Sequence, residues 1–247
     1  MSNLKEVYFV ATCLVDVFYP EVGIAGMQLL RRNKINVIYP KNQTCCAQPA
    51  FNAGCRQDAI VVARTLMKCF TKKIPIVIPS GSCADMIKNH WEELFEGEDD
   101  LEQALEISKR VFELTEFLVD KLKIKLSYLG EPIKVAIHSS CSCTNGLQVA
   151  DRIEQLVGQL ANVEILQQKR KTECCGFGGT FTIKQADISG AMVNDKVATL
   201  SATKAEIVIS QDMGCLMNID GAIQKQQLPI KCQHIAQFLW QRTNEPS

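Results

Sequence analysis

Short apolar runs and longer amphipathic stretches alternate along the chain, separated by polar turns. Residues 6–11 (Glu-Val-Tyr-Phe-Val-Ala) make an apolar run of strand length, and residues 21–33 place Ile24, Met27, Leu30 and Arg31 at helical spacing. Asn36-Val37-Ile38-Tyr39 predicts a short strand and residues 57–70 a helix. Ile74 to Ile78 predicts a buried strand ending at Pro79-Ser80-Gly81-Ser82-Cys83. A helix is expected from there to about Phe95, then an exposed acidic loop, Glu96-Gly97-Glu98-Asp99-Asp100. One long amphipathic helix is expected next, from Leu101 through Ala104, Leu105, Ser108, Val111, Phe112, Thr115 and Leu118 to Leu122.

Gly130-Glu131-Pro132 breaks the pattern, and the order restarts. Ile133 to Ile137 predicts a strand ending at His138-Ser139-Ser140-Cys141, with a helix from about Leu147 and a strand over Val163 to Leu166. A helix over 184–203, a strand over Glu206 to Ile209, a last strand at Pro229-Ile230-Lys231 and a last helix from Ile235 to Gln241 follow. Alternating strands and helices favour parallel sheets flanked by helices. The predicted fold is α/β, with two pseudo-symmetric repeats, residues 1–130 and 131–247, each built on a parallel sheet.

The cysteines carry the repeat. In the first half 31 residues separate Cys13 from Cys45, and 36 separate Cys46 from Cys83. In the second, 32 separate Cys141 from Cys174, and 39 separate Cys175 from Cys215. Flanking segments agree: Ile76-Val77-Ile78 matches Ile207-Val208-Ile209, and Glu116-Phe117-Leu118 resembles Gln237-Phe238-Leu239. This is an internal duplication with a period near 130 residues. In each half the cysteines fall at or just after strand ends. Parallel strands all end on one edge, where α/β folds place their ligands, so each set of four can converge.

Charge and composition remove other classes of function. With 27 basic and 27 acidic residues the chain has no net charge, which argues against nucleic acid as the main partner. No apolar run approaches the length of a membrane span. Met1-Ser2-Asn3-Leu4-Lys5-Glu6 shows no basic stretch leading into an apolar one, so a secretory leader is not expected and the expected location is cytoplasmic. Twelve cysteines in a reducing compartment point to metal or redox chemistry rather than disulfides. Gly176-Phe177-Gly178-Gly179 is no nucleotide loop, because Phe181 stands at the third glycine place of G-x-G-x-x-G.

Four thiolates per half can hold Zn²⁺ or an iron–sulfur cluster. Structural zinc sites favour C-x₂₋₄-C knuckles; this chain has doublets, long gaps and only the C-x-C of Cys141-Ser142-Cys143. Adjacent thiolates can bind different irons of a larger cluster, and two clusters in one chain suit an electron relay. Glycines after Cys175 let backbone approach a bulky group and take positive φ.

The doubled pattern of a cysteine, a Cys-Cys-Gly doublet and a closing cysteine resembles the cysteine-rich CCG domain found in heterodisulfide reductase and in the glycolate oxidase iron–sulfur subunit. The similarity is closer to the lactate utilization protein A family. It rests on Thr12-Cys13-Leu14-Val15-Asp16, Cys45-Cys46-Ala47-Gln48-Pro49-Ala50-Phe51-Asn52-Ala53-Gly54, Pro79-Ser80-Gly81-Ser82-Cys83, Cys174-Cys175-Gly176-Phe177-Gly178-Gly179-Thr180-Phe181 and Cys215-Leu216-Met217-Asn218-Ile219. The resemblance implies an iron–sulfur electron-transfer subunit of a cytoplasmic complex that oxidises L-lactate to pyruvate, with companions like lactate utilization proteins B and C. It implies one or two clusters of 4Fe–4S type, held by Cys13, Cys45, Cys46 and Cys83 and by Cys141, Cys174, Cys175 and Cys215. The alternatives are a thiol/disulfide catalytic subunit like heterodisulfide reductase, or service to glycolate or another 2-hydroxy acid. A zinc-stabilised adaptor is a third class.

The sequence also departs from the family pattern, which ends in C-x-x-C: Ser80 and Asp212 stand where the first of those cysteines would be, as ligands, acids or helix caps. Ala47 replaces the glycine of the first Cys-Cys-Gly. Cys143 is an alternative ligand beside Cys141, and His138 a candidate hydrogen-bond partner of a cluster sulfur. Cys55, Cys69 and Cys232 lack counterparts in the other half and read as ordinary small residues.

Overall fold

The computed structural model describes residues 5–127 and 130–243. Met1 to Leu4, part of the segment read for a leader, lie outside them. The first sheet contains β1 (Glu6–Phe9), β2 (Asn36–Ile38), β3 (Ile76–Ile78) and β4 (Val111–Glu113), all parallel, in the order β2-β1-β3-β4. The second contains β5 (Ile133–His138), β6 (Val163–Leu166), β7 (Ile207–Ser210) and β8 (Lys231–His234), again all parallel, in the order β6-β5-β7-β8. The duplication read from cysteine spacing is thus a duplication of topology.

The helices of the first half are α1 (Cys13–Phe18), α2 (Pro20–Arg32), α3 (Gln48–Asn52), α4 (Arg56–Met67), α5 (Gly81–Asp85), α6 (Trp91–Leu94), α7 (Leu101–Ser108) and α8 (Leu114–Glu116). Those of the second are α9 (Asp151–Val157), α10 (Phe181–Lys184), α11 (Ala186–Ser201), α12 (Met213–Lys225) and α13 (Ile235–Thr243). A wide π turn, Met86–His90, joins α5 to α6, and another, Phe117–Lys121, follows α8.

Two expectations are corrected. The long helix expected over Leu101 to Leu122 does not exist. After α7 the chain turns into edge strand β4, which pairs with β3 through Ile76↔Val111, Val77↔Phe112 and Ile78↔Glu113. A three-residue strand is too short to show a period of its own, and its apolar positions happen to extend the helical spacing. Pairing with an apolar neighbour then overrides the local pattern. The last strand also starts later than expected, at Lys231, paired with Ile207.

Core formation follows the two-residue period of strands. Val7 and Phe9 face a core shared by both halves, with Val22, Leu29, Val77, Val135, Ile137, Phe238 and Leu239. Tyr8, Val10, Ile76 and Ile78 face the other way, into a core closed by Ile60, Leu66, Trp91 and Phe95. The central strands Ile76-Val77-Ile78 and Ile207-Val208-Ile209-Ser210 are buried throughout, as strands covered on both faces should be. Across the seam α2 packs on α13, and Arg32 donates to the Thr243 carbonyl and Oγ1, both at 2.8 Å.

Glu113, at the end of β4, is wholly buried. Its Oε2 accepts from Thr115 N (2.7 Å), Thr115 Oγ1 (2.5 Å), Glu116 N (3.2 Å) and, from the second half, Gln211 Nε2 (3.3 Å). Burial raises the carboxyl from 4.5 to about 7, against the lowering effect of those hydrogen bonds. The folded state therefore holds the proton more tightly than the unfolded chain. Its contribution is fully present below 4.5 and is lost as pH rises towards 7. His138 and His234, pushed down by burial, titrate in the opposite sense. The informative quantity is thus the stability of the protein minus that of Glu113→Gln. We expect it to fall by roughly 2–3 kcal/mol between about pH 5 and 8 in urea titrations.

Candidate metal centres

The strand order creates the sites. From β1 the chain crosses to β2 on one side, then returns to place β3 on the other, so the connections diverge at the C-terminal ends of β1 and β3. Such a divergence opens a crevice at the sheet edge. Cys13 opens α1 just after β1, Cys45 and Cys46 lie on the loop after β2, and Cys83 lies in the first turn of α5 after β3. The second half repeats this with Cys141 after β5, Cys174 and Cys175 after β6, and Cys215 in the first turn of α12.

All eight predicted cysteines fall into two quartets with the same internal order. Cys13 Sγ donates to Cys45 Sγ at 4.0 Å, and Cys46 interacts with both Cys45 and Cys83. Cys174 interacts with Cys141 and Cys175, and Cys175 with Cys174 and Cys215. Burial follows a gradient in both. The leading thiols Cys13 and Cys141 are exposed, Cys45 and Cys174 are half-buried, and the remaining four are buried. One thiol per quartet is favoured as thiolate. Hydrogen bonds from Cys13 and then Cys46 lower Cys45 to about 3, and those from Cys141 and then Cys175 lower Cys174 to about 2. Their partners Cys13 and Cys141 are correspondingly raised. Gly176 N adds a bond to Cys174 Sγ at 3.4 Å.

Cys55, Cys69 and Cys232 stay apart. Cys55 and Cys69 bond to nearby carbonyls, those of Ala53 (4.0 Å) and Thr65 (3.9 Å), and burial raises the Cys232 thiol on β8. Cys143 packs into the seam between the halves, so close to Gly81 that a Cβ there would lie 2.3 Å from its sulfur. Burial raises its thiol, with nearby Glu113, Asp212 and Cys215 adding to the effect.

Ser80 and Asp212 cap helices. Ser80 Oγ accepts from Cys83 N at 3.4 Å, and Asp212 Oδ1 accepts from Gly214 N at 3.0 Å. Asp212 does more than the sequence suggested: its Oδ2 crosses the seam and accepts from Ser82 N (2.7 Å) and Ser80 Oγ (3.2 Å). The cap of each closing cysteine helix is tied to the other.

Gly176, Gly178 and Gly179 all have positive φ (79°, 52° and 62°), as their clustering implied. Their loop has a second role that spacing did not reveal. Phe177 and Gly179, with Met213 and Gly214, wall a cavity of about 100 Å³ over the first quartet, whose floor is Cys13, Cys45, Cys46 and Cys83. The first half lacks such glycines: Ala47 sits at φ 77° and Thr12, just before Cys13, at φ 68°. Left-handed backbone costs a residue with a Cβ about 1–2 kcal/mol. Ala47→Gly should therefore be neutral or stabilising by up to about 1 kcal/mol, the relief partly offset by glycine's greater freedom when unfolded. Gly176→Ala should cost about 2 kcal/mol or more, because its Cβ would meet Ser189 O at 2.8 Å and Met192 Cβ at 3.0 Å. Thermal unfolding of the two variants checks the contrast.

Two further polar groups flank only the second quartet. His138 is completely buried at the end of β5, and burial together with Lys196 holds it near 3, hence neutral. Lys196 is also wholly buried, with Nζ donating to the carbonyls of Arg170 (3.2 Å) and Lys171 (3.4 Å) and to Gln168 Oε1 (3.4 Å). The sequence carried a signal for Lys196, since position 196 falls on the face marked by Val193, Val197 and Leu200. The matching helix α4 buries only Ala59, Ile60, Ala63, Leu66 and Met67.

As donors, the quartets fit a thiophilic metal or iron–sulfur group: sulfur ligands only in the first, sulfur plus imidazole nitrogen in the second. The ligand atoms of His138, Cys175 and Cys215 lie within 4.8 Å of one another. No described helix is long and apolar enough to cross a membrane.

Comparison with known proteins agrees with this geometry. The family model described as a cysteine-rich domain (CCG) matches residues 7–88 and again residues 135–220. The chain is 38% identical over 230 residues to lactate utilization protein A 2 of Bacillus cereus (strain Q1), covering 92% of this chain and 95% of the relative. It is 39% identical over 237 residues to lactate utilization protein A of Halalkalibacterium halodurans, covering 95% and 97%. Among solved structures, that of a hypothetical protein from Helicobacter pylori is similar in fold, with a TM-score of 0.57 at 8% identity. It covers 98% of this chain and 50% of that one.

Proposed function

The chain belongs to the lactate utilization protein A family, with two copies of the cysteine-rich CCG domain, and from that premise we propose that it is an iron–sulfur electron-transfer subunit of L-lactate oxidation to pyruvate. The observation that carries the reading is the pair of four-thiol quartets, one at the edge of each parallel sheet. In this reading Cys13, Cys45, Cys46 and Cys83 hold one group, and Cys141, Cys174, Cys175 and Cys215 the other. The modules are residues 1–130 and 131–247. A thiolate-bound cluster, 4Fe–4S in type, supplies one-electron storage. The protein's own contribution is to gather four sulfurs at each sheet edge and to bury two of them in each quartet. Each quartet reaches the surface through its exposed leading cysteine and, in part, through half-buried Cys45 or Cys174, the side on which electrons would be exchanged with partners like lactate utilization proteins B and C in the cytoplasm. Glycolate and other 2-hydroxy acids are the competing substrates of the complex.

Anaerobic purification followed by iron and sulfide assay and EPR tests this. Iron and sulfide at cluster stoichiometry with a reducible EPR signal are expected. An iron-free, colourless protein that still supported growth on lactate would sink it. One observation favours a second reading, a zinc-stabilised adaptor. The 4.0 Å between the Cys13 and Cys45 sulfurs suits a single tetrahedral ion with Zn–S bonds of about 2.3 Å. Stoichiometric zinc without visible absorbance is the outcome that would select it.

A further inference from the structure

The two quartets differ in one respect that concerns the bound group itself. We propose that a ring nitrogen of His138 coordinates the metal-containing group of the second quartet as a fifth donor, while the first quartet binds through thiolates alone. The inference rests on the cluster reading above, extended here to a residue outside the cysteine pattern.

Three observations carry it. First, position: a His138 nitrogen and the sulfurs of Cys175 and Cys215 lie within 4.8 Å of one another. Second, satisfaction: His138 is fully buried, yet neither Nδ1 nor Nε2 has a hydrogen-bond partner among the described residues. Leaving a buried polar atom unpaired costs about 1–3 kcal/mol, so such atoms in a folded protein call for a missing partner. The nearby cation Lys196 is not that partner, because its ammonium is engaged with Gln168 and the carbonyls of Arg170 and Lys171. Third, asymmetry: counting back three residues from the leading cysteine of each half reaches His138 before Cys141 but Val10 before Cys13. Val10 is buried and cannot ligate. Imidazole nitrogen is a good donor to iron and zinc alike.

The test uses the full chain, loaded anaerobically with iron and sulfide, in two variants that each retain one quartet: Cys13→Ser and Cys141→Ser. Pulsed EPR is recorded on reduced protein with natural or ¹⁵N-labelled histidine. The Cys13→Ser protein is expected to show a strong nitrogen coupling that changes with the label and vanishes in Cys13→Ser/His138→Leu. The Cys141→Ser protein is expected to show none. The label comparison leaves His138 in place, so it holds even where the leucine variant fails to fold. Iron bound in Cys13→Ser without a histidine coupling, or a coupling that survives His138→Leu, overturns the inference alone. Iron-free protein throughout overturns both it and the function on which it rests.

Discussion

Cys175→Ser is expected to halve the iron bound per chain and to cut lactate-dependent electron transfer by about 100-fold or more. Even outer-shell partners of a metal ligand are worth about 10–100-fold when removed, and Cys175 stands at the centre of its quartet, buried between Cys174 and Cys215. Serine is nearly isosteric, so the loss reads donor chemistry rather than packing. Cys46→Ser should do the same to the first quartet, because Cys46 occupies the equivalent place between Cys45 and Cys83. A relay predicts loss of activity from either replacement. A single catalytic doublet at Cys174 and Cys175 predicts instead that the Cys46 replacement leaves turnover intact, and that result would sink the relay. Cys55→Ser is the control: exposed and outside both quartets, it should change neither iron content nor rate.

Much of this site was legible in the sequence because each signal was local. A cysteine directly after a short apolar run predicts a thiol at the C-terminal end of a strand, and Cys13, Cys83, Cys141 and Cys215 all lie there. The cysteine spacing repeats because the topology repeats, so even the separate convergence of the two sets could be read. The failures share a different cause. Strand β4 is three residues long, and only its pairing with β3 distinguishes Val111-Phe112-Glu113 from another helical turn. The repeat held the missing clue: Gln237-Phe238-Leu239, the match of Glu116-Phe117-Leu118, lies in α13, directly behind strand β8. The placement of Phe177 over the first quartet and the reach of Asp212 to Ser82 are contacts between halves, which no local pattern encodes. His138 was legible as a residue of interest three positions before Cys141. Its unpartnered nitrogens could be seen only once burial was known.

The contact between halves leads to the largest stability effect expected away from the cysteines, at Asp212. With 3% of its surface exposed, this carboxylate accepts from Gly214 N through Oδ1 and from Ser82 N and Ser80 Oγ through Oδ2. Asp212→Ala removes the helix cap on the Gly214 N–H, worth about 1 kcal/mol, and strands the partly buried Ser82 N–H at about 1–3 kcal/mol. The expected total is about 2–4 kcal/mol, read as a fall in the urea midpoint. Asp212→Asn keeps one acceptor oxygen but turns an NH₂ towards either Gly214 N or Ser82 N, so it should recover only part of that loss. Ser80→Ala should cost about 1 kcal/mol, since it removes a cap bond and leaves the Asp212 bond to Ser82 N intact. A purely local cap at position 212 would make the two alanine variants equally mild, and that result would remove Asp212 as the link between the halves. Iron content separates structure from ligation in the same proteins. Both carboxylate oxygens are already committed to N–H and O–H donors, so Asp212→Asn should bind as much iron as the unaltered chain while unfolding at lower urea.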